Sequence, residues 1–277
     1  MKLGISSLGH LVDKALRGKS KKMIDLLISS TEACFKFAEK NNIKDVEVIL
    51  DPPDIYTSEN KKRFIDLCNS YSSINKQIHA PFMDLSMCSS NINISRASVK
   101  SCVDAAEICE EIGAKVLVVH PGIGHFLINT IREHNNKQLI RAVNELLDAT
   151  ANLNVMICIE NMPQDAHMLG NEIDIEEFLT NLNRDDIFLT YDTSHAWTCE
   201  MNLDLYWEKF HKFVKNIHLA DNANKETDLH PALGSGKIDF QQILNIVKKY
   251  KYEGLLVVEI ITGRALRKSI DHIRQFL

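Results

Sequence analysis

Several apolar, strand-like runs of this chain end in a residue that can bind a cation or move a proton. His120 follows LVV, Glu160 follows VMICI and Glu259 follows LLVV. A carboxylate at the rim of a buried strand costs free energy unless it is paired or bound to a cation. The polar residues found at such ends are His79, His120, Glu160, Asp192 with His195, His218 with Asp221, and Glu259. These residue types suit metal binding and proton transfer.

Taken one at a time, these residues have ordinary explanations. A lone histidine is usually structural, the DTSH segment fits a turn with a helix cap, and Asp228 and His230 fit an ordinary loop. If the strands share one sheet, however, nine His, Asp and Glu residues meet on one rim and need neutralising. A divalent cation does this, and mixed histidine and carboxylate ligands suit zinc or manganese. No cysteine lies among them, which argues against a closed structural zinc site.

The elements that must position these residues alternate between strand and helix. The predicted strands cover residues 4–7, 46–50, 77–82, 115–122, 155–162, 187–195, 215–222 and 255–260. Helical spacing is found at 20–40, 96–113, 137–153, 174–182, 204–213 and 239–250. Gly113 is the expected C-terminal cap of its helix, and Asp239 and Ser58 are expected N-terminal caps.

This order of elements predicts parallel strands joined by helices. About eight repeats favour a closed (β/α)8 TIM barrel of the α/β class over an open doubly wound sheet. We therefore predict a single domain over residues 1–277. In such barrels the active site lies at the carboxyl ends of the strands, where the polar residues fall. The first two predicted strands carry no polar residue of this kind at their ends.

The composition excludes some classes of function. A formal net charge of -5 gives the whole protein no attraction to nucleic acid, although it allows a local basic patch. No apolar run approaches the ~20 residues that span a bilayer, and the N-terminus lacks the apolar region of a signal peptide. The seven cysteines include no CxxC pair, which predicts reduced thiols in a cytoplasmic protein rather than a disulfide framework.

Three weaker features lie near the predicted site. Trp197 follows DTSH and fits packing as well as substrate contact. Gly234 and Gly236 in GSGK let the backbone turn near the site, and the amine of Lys237 is a candidate for a phosphate. The polar segment 89–95 is long enough to form part of a lid.

The strand-end motifs, taken in order, resemble those of the xylose-isomerase-like barrel superfamily. They read QIHAPF, VVHPG, IENM, DTSH, IHLADN, DLHPALGSG and VVEI. That superfamily includes endonuclease IV (AP endonuclease family 2) and the sugar and sugar-phosphate isomerases and epimerases. The resemblance covers nearly the whole chain, and its motifs are specific for the superfamily but not for one activity.

The resemblance to endonuclease IV implies three zinc ions and hydrolysis of a phosphoester such as abasic DNA. Carried over motif by motif, the first metal is held by His79, His120 and Glu160, the second by Glu160, Asp192, His218 and Glu259, and the third by His195, Asp228 and His230. All nine positions hold the residue type that the resemblance requires.

The resemblance to the single-metal isomerases and epimerases implies a smaller set of ligands. That set is Glu160, Asp192, His218 and Glu259. The cation would hold two sugar oxygens and polarise the carbonyl of a sugar or sugar phosphate. Glu160 and Glu259 would then be the acid–base pair that removes the proton beside the carbonyl and returns it.

The loops depart from the pattern of endonuclease IV. GISSLGH has no histidine in its third position, and the loop after the second strand, DPPDIYTSENKKRF, is acidic at first. Phe82-Met83 stands where that family has a pair that wedges into DNA. HLADN looks more like the sugar phosphate isomerase/epimerase group.

The first hypothesis is therefore a metal-dependent sugar or sugar-phosphate isomerase or epimerase. The alternative is an endonuclease IV-like AP endonuclease, or another phosphoester hydrolase, with three zinc ions. A third hypothesis is a regulatory barrel that binds metal without catalysis. The presence of both Glu160 and Glu259 argues against it. The candidate substrate contacts are Phe82, Trp197, Asp221 and Lys237.

Overall fold

Eight parallel strands form a closed barrel in the computed structural model, which describes residues 1–18, 22–51, 55, 57–125 and 127–277. The strands follow one another in sequence order, and β8 pairs with β1 to close the sheet. Their bounds are β1 Lys2–Ser6, β2 Asp45–Ile49, β3 Asn75–His79, β4 Val116–Val119, β5 Met156–Glu160, β6 Ile187–Asp192, β7 Val214–Leu219 and β8 Leu255–Val258. The predicted (β/α)8 barrel is confirmed.

Helices connect the strands on the outside of the barrel or cover its ends. Their bounds are α1 Leu8–Leu16, α2 Met23–Lys40, α3 Ser58–Ser70, α4 Ile92–Ile112, α5 Asn129–Thr150, α6 Glu172–Leu182, α7 Thr193–Thr198, α8 Leu203–Phe210, α9 Phe240–Lys249 and α10 Leu266–Ile273. Helices α1, α3, α7 and α10 lie outside the predicted helical ranges, although a helix start was expected at Ser58. Helices α1, α7 and α10 each have fewer than ten residues, too few for a clear periodic pattern.

The helix caps test the local predictions. Gly113 ends α4 with a φ of 71°, a left-handed conformation that suits glycine, so that prediction is confirmed. Asp239 accepts a backbone N–H in the first turn of α9, as predicted. The prediction for Ser58 is wrong, because the side chain of Thr57 caps α3 and Ser58 is its first helical residue.

Two predicted boundaries also change. Asp192 ends β6 and accepts the backbone N–H of His195 at 2.7 Å, so a short helix begins where strand was expected. Helix α4 begins at Ile92, inside the segment 89–95 that was a candidate for part of a lid. Ser95 is buried there and donates to the carbonyl of Met87.

The interior of the barrel is partly polar. One large apolar cluster contains residues of both the strands and the helices. A small separate apolar cluster consists of Val116, Val118 and Cys158, from β4 and β5. Buried polar residues on the strands include Glu47, Gln77 and Asn216. The barrel therefore offers a polar layer beneath the rim that the sequence singled out.

All seven cysteines are free, and six of them are buried. Burial raises the pKa of the Cys34 thiol far above its ordinary value, which keeps it protonated and unreactive. The buried positions agree with structural thiols, and their reduced state stays a prediction. Among the described residues, no helix combines the length and the apolar character needed to cross a bilayer.

Candidate metal centre

The carboxyl ends of β3, β4 and β5 bring the first predicted group of ligands together. His79 and Glu160 end their strands, and His120 directly follows its strand. The Nε2 atoms of the two histidines lie 3.2 Å apart. Glu160 Oε2 lies 3.4 Å from Nε2 of His79 and 3.0 Å from Nε2 of His120. Ligand atoms about 2.1 Å from one tetrahedral zinc lie about 3.4 Å from each other, so this spacing fits one ion.

A second group centres on the ring of His218. In the sheet, His218 of β7 lies beside Asp192 of β6. Nδ1 of His218 lies 3.0 Å from Glu160 Oε1 and 3.1 Å from Glu259 Oε2. It lies 3.9 Å from Asp192 Oδ2. Three buried carboxylates around one nitrogen require a positive charge between them.

A third group lies on the side of the rim formed by α7 and the loop before α9. Ligand atoms of Asp192, His195 and His230 lie within 4.8 Å of one another. Asp228 Oδ2 lies 3.2 Å from Nε2 of His195 and 2.9 Å from Nε2 of His230. The nine residues predicted as ligands therefore lie together, with Glu160 shared by the first two groups and Asp192 by the last two.

Two buried atoms of this centre lack a hydrogen-bond partner among the described residues. They are Oδ2 of Asp192 and Nε2 of His230. Asp228 approaches that nitrogen, but not in the direction of a hydrogen bond. Polar atoms buried in this way are costly, and a cation is a common reason for them. The residues present thus fit zinc or manganese, which bind histidine and carboxylate together.

Backbone carbonyls fix the orientation of two of the histidines. Nδ1 of His79 donates to the carbonyl of Ala80 at 2.8 Å. Nδ1 of His195 donates to the carbonyl of Asn161 at 2.7 Å. In both rings Nε2 is then the unprotonated nitrogen of the neutral form, and it points toward the carboxylates. This is the usual arrangement of a histidine that binds a metal.

The charges of the centre shift its pKa values in opposite directions. Burial acts to raise the pKa of Glu160, but the neighbouring histidines, His218 above all, hold it well below its ordinary range. Burial lowers the pKa of His79, yet the hydrogen bond and charge of Glu160 raise it to about 9. Burial raises the pKa of Asp192 to about 6. Without a metal, the histidines whose pKa is raised therefore hold protons where a cation would carry the charge, whereas burial lowers the pKa of His120.

A cavity of about 780 Å³ opens above the first and third groups. His120, His195 and Asp228 form part of its floor. Its walls are mostly apolar, from Phe82, Met83, Leu85, Ile94, Ile123 and Met162. The ring of Phe82 lies 5.2 Å from that of His79 and 5.1 Å from that of His120. Phe82, a predicted substrate contact, therefore stands in this cavity beside the candidate ligands.

The other three predicted substrate contacts do not line this cavity. Trp197 faces a separate cavity of about 190 Å³, with the Lys225 amine 4.1 Å from its ring centre. Lys237 is exposed. Asp221 is buried and turned toward the backbone, where Oδ2 accepts the N–H groups of Gly234 and Gly236 at 2.8 and 2.7 Å. Asp221 thus holds the glycine loop that the sequence placed near the site.

Two acidic residues near the centre were not predicted from the sequence, because we expected no functional side chain at the ends of the first two strands. Glu47 on β2 is fully buried, and its Oε1 lies 3.0 Å from Nε2 of His218. Asp51, just after β2, accepts the backbone N–H groups of Phe82 and Met83. Glu47 interrupts the apolar run VEVI, and that interruption was the signal available.

Comparison with known proteins gives the chain a family context. A family model described as a xylose isomerase-like TIM barrel matches residues 35–276. An uncharacterized protein of Methanocaldococcus jannaschii is 28% identical over 284 residues, which cover 100% of this chain and 89% of that protein. A probable endonuclease 4 of Ureaplasma parvum is 26% identical over 188 residues, covering 61% of this chain and 59% of its own length.

Among solved structures, a D-tagatose 3-epimerase-like protein superposes on this chain with a TM-score of 0.81. The two are 24% identical, and the match covers 100% of this chain and 97% of the other. At that identity the likeness shows the shared barrel fold.

Proposed function

Because the chain belongs to the xylose isomerase-like TIM barrel family, we propose that it is a divalent-metal-dependent isomerase or epimerase of a sugar or sugar phosphate. The pair Glu160 and Glu259 carries this proposal. Their carboxylates come from β5 and from the residue after β8, and they reach Nδ1 of His218 at 3.0 and 3.1 Å. A substrate held at this point has a carboxylate from each side of the barrel beside it.

The lining of the cavity above the centre argues against a nucleic-acid substrate. Among the described residues that line it, none is a lysine or arginine. A phosphodiester backbone is usually bound by such cations. The net charge of -5 also disfavours the binding of a nucleic acid. These observations favour a sugar over a nucleic acid.

The metal would be held by Glu160, Asp192, His218 and Glu259. A divalent cation bound there supplies a Lewis acid that polarises a substrate carbonyl. Zinc and manganese both suit these ligands.

The protein's own groups carry out the proton transfer. One of Glu160 and Glu259 removes the proton from the carbon beside the carbonyl, and the other delivers a proton to complete the isomer or epimer. Phe82 packs against the non-reacting part of the substrate and keeps water from the carbon that exchanges its proton. General acid–base groups of this kind contribute about 10²–10⁴-fold to a rate.

Proton exchange in heavy water tests this function. The metal-loaded chain is incubated with a panel of ketoses, aldoses and their phosphates, and NMR follows the loss of the proton next to the carbonyl. Deuterium uptake with formation of an isomer supports the proposal. A panel that shows no exchange with any member, in a chain that has bound metal, counts against it.

A second candidate function is phosphoester hydrolysis with three metals. The third group favours it, because Asp192 Oδ2 and His230 Nε2 are buried without hydrogen bonds and because Asp228 contacts both histidines of the group. A single-metal isomerase would use only Asp192 of this group as a ligand. Cleavage of a duplex containing one abasic site, measured with zinc present, tests this alternative directly.

A further inference from the structure

A buried polar network lies directly beneath His218. Asn216 precedes His218 by two residues on β7, so both side chains point to the same side of the sheet. Glu47 of β2 pairs in register with Gln77 of β3. Gln77 donates to Glu47 Oε2 at 2.6 Å and to Asn216 Oδ1 at 3.0 Å. The network therefore spans the barrel interior from β2 through β3 to β7.

Glu47 is the acceptor at the centre of this network. Besides the bond from Gln77, its Oε2 receives an N–H of Asn216 at 3.1 Å. Nε2 of His218 lies 3.0 Å from one carboxylate oxygen and 3.1 Å from the other. Glu47, Asn216 and His218 all have 0% exposure to solvent. A buried carboxylate held by several donors stays in one orientation.

This arrangement determines which nitrogen of His218 can bind a cation. Nδ1 faces Glu160 and Glu259, and Nε2 faces Glu47. A proton on Nε2 has a carboxylate acceptor, and Nδ1 is then free to bind a cation. In the opposite tautomer the unprotonated nitrogen could accept from the amide of Asn216, 3.0 Å away, but it would face the carboxylate of Glu47. A hydrogen bond from Nε2–H to the charged carboxylate is the stronger of the two, so the Nε2–H form is favoured.

We propose that Glu47 is a positioning residue that holds His218 in the Nε2–H form, so that its Nδ1 binds the metal. This inference rests on the metal at Glu160, Asp192, His218 and Glu259 that the proposed function requires, and it holds for either reaction. His218 then has the opposite tautomer to His79 and His195, whose Nδ1–H groups donate to backbone carbonyls. A carboxylate on the far nitrogen of a histidine ligand also makes the ligand more basic.

Zinc affinity tests the role of Glu47 without any substrate. The full-length chain is titrated against a chromophoric chelator, and the binding step that His218→Ala removes identifies the site. Glu47→Gln keeps the size of the side chain but removes its charge. We expect that step to weaken about 10- to 100-fold, the usual cost of losing such a partner.

Thr190→Val is the matched control. Thr190 lies beside Asn216 in the sheet and is also fully buried. Its Oγ1 has no hydrogen-bond partner among the described residues, so the variant should change zinc affinity by less than about twofold. If Glu47→Gln binds zinc like the wild type at this step, the positioning role is wrong. If the wild type shows no step that His218→Ala removes, both this inference and the proposed function fail.

NMR of the zinc-loaded wild type gives a second test, which does not require Glu47→Gln to fold. With 15N in the histidine rings, His79 and His195 should keep a proton on Nδ1, and His218 should keep one on Nε2. His218→Ala assigns the signal. A His218 ring that carries its proton on Nδ1 in the zinc-loaded chain overturns the inference.

Discussion

Asp192 Oδ2 and His230 Nε2 lie 3.9 Å apart, both buried and both without a hydrogen bond among the described residues. Asp192 is at the end of β6, and His230 lies in the loop before α9, at a positive φ of 43°. This pair belongs to the third group of candidate ligands. That group would hold its own metal ion in a three-metal hydrolase but not in a one-metal isomerase.

Removing the side chain of His230 should therefore distinguish the one-metal isomerase from the three-metal hydrolase. For a one-metal isomerase, His230→Ala should lower the rate of proton exchange by less than about tenfold, because the proton-transfer pair remains. For a three-metal hydrolase it should abolish phosphoester cleavage and remove one equivalent of metal. His134→Ala, at an exposed position on α5, is the control and should change neither quantity. Loss of all isomerase activity in His230→Ala alone would contradict the one-metal assignment.

Glu259 is required under either mechanism. Glu259→Gln keeps the shape of the side chain but removes a proton acceptor and a charged ligand. We expect turnover to fall by at least about 10²-fold while the chain stays folded, as measured by initial rates and circular dichroism. Glu253→Gln, exposed just before β8, should behave like the wild type. Near-normal turnover of Glu259→Gln would exclude Glu259 from the mechanism.

Asp221 should matter for stability rather than for binding of substrate. Its carboxylate accepts backbone N–H groups from Asn222, Gly234, Gly236 and Ile238. Asp221→Ala leaves these buried donors without an acceptor, so we expect the free energy of unfolding to fall by about 3 kcal/mol or more in urea titrations. Asp221→Asn, which keeps one acceptor oxygen, should lose less. An Asp221→Ala chain of normal stability that no longer binds substrate would restore the role first predicted for this residue.

Zinc binding should release protons and become tighter as pH rises. Burial lowers the pKa values of His79 and His230, but the charges of nearby carboxylates raise both to about 9. The charges responsible include those of Glu160, Asp192 and Glu259, so a cation bound to these carboxylates displaces the histidine protons, and its affinity should increase up to about pH 9 and then level off. Calorimetry at pH 7 in buffers of different ionisation enthalpy measures the protons released. An affinity independent of pH from 6 to 9 would contradict this explanation.

The same shifts predict how the metal-free chain responds to pH. A histidine with a raised folded pKa contributes stability that is complete below its unfolded value of 6.5 and is lost as pH rises through about 9. The metal-free protein should therefore unfold at lower urea concentrations at pH 9 than at pH 6. The zinc-loaded protein should show a smaller decrease, because the bound cation replaces the protons. Equal decreases with and without zinc would contradict a cation bound among the carboxylates that raise these pKa values.

The sequence predicted the barrel well because most strands contain an apolar run that a glycine, proline or polar residue ends. The candidate ligands were found for the same reason, since His120 and Glu259 interrupt such runs. Their closeness followed from the parallel order of the strands alone. The ligand roles themselves stay predictions until a metal is measured.

Other parts of the site depend on contacts that the sequence does not show. Glu47 was missed because its partner His218 lies 171 residues away and meets it only when the barrel closes. Asp221 was taken for a substrate contact because it follows a strand end, whereas the carboxylate turns back to the glycine loop. The change from strand to helix after Asp192 depends on a single capping bond, which strand periodicity does not predict.

Elemental analysis of the purified, unchelated chain tests the central claim most directly. The account predicts about one tightly held equivalent of zinc or manganese per chain, lost in His218→Ala. About three equivalents would move the assignment to the phosphoester hydrolase. A wild-type chain that retains no metal, and binds none when zinc or manganese is added, would contradict the metal centre itself.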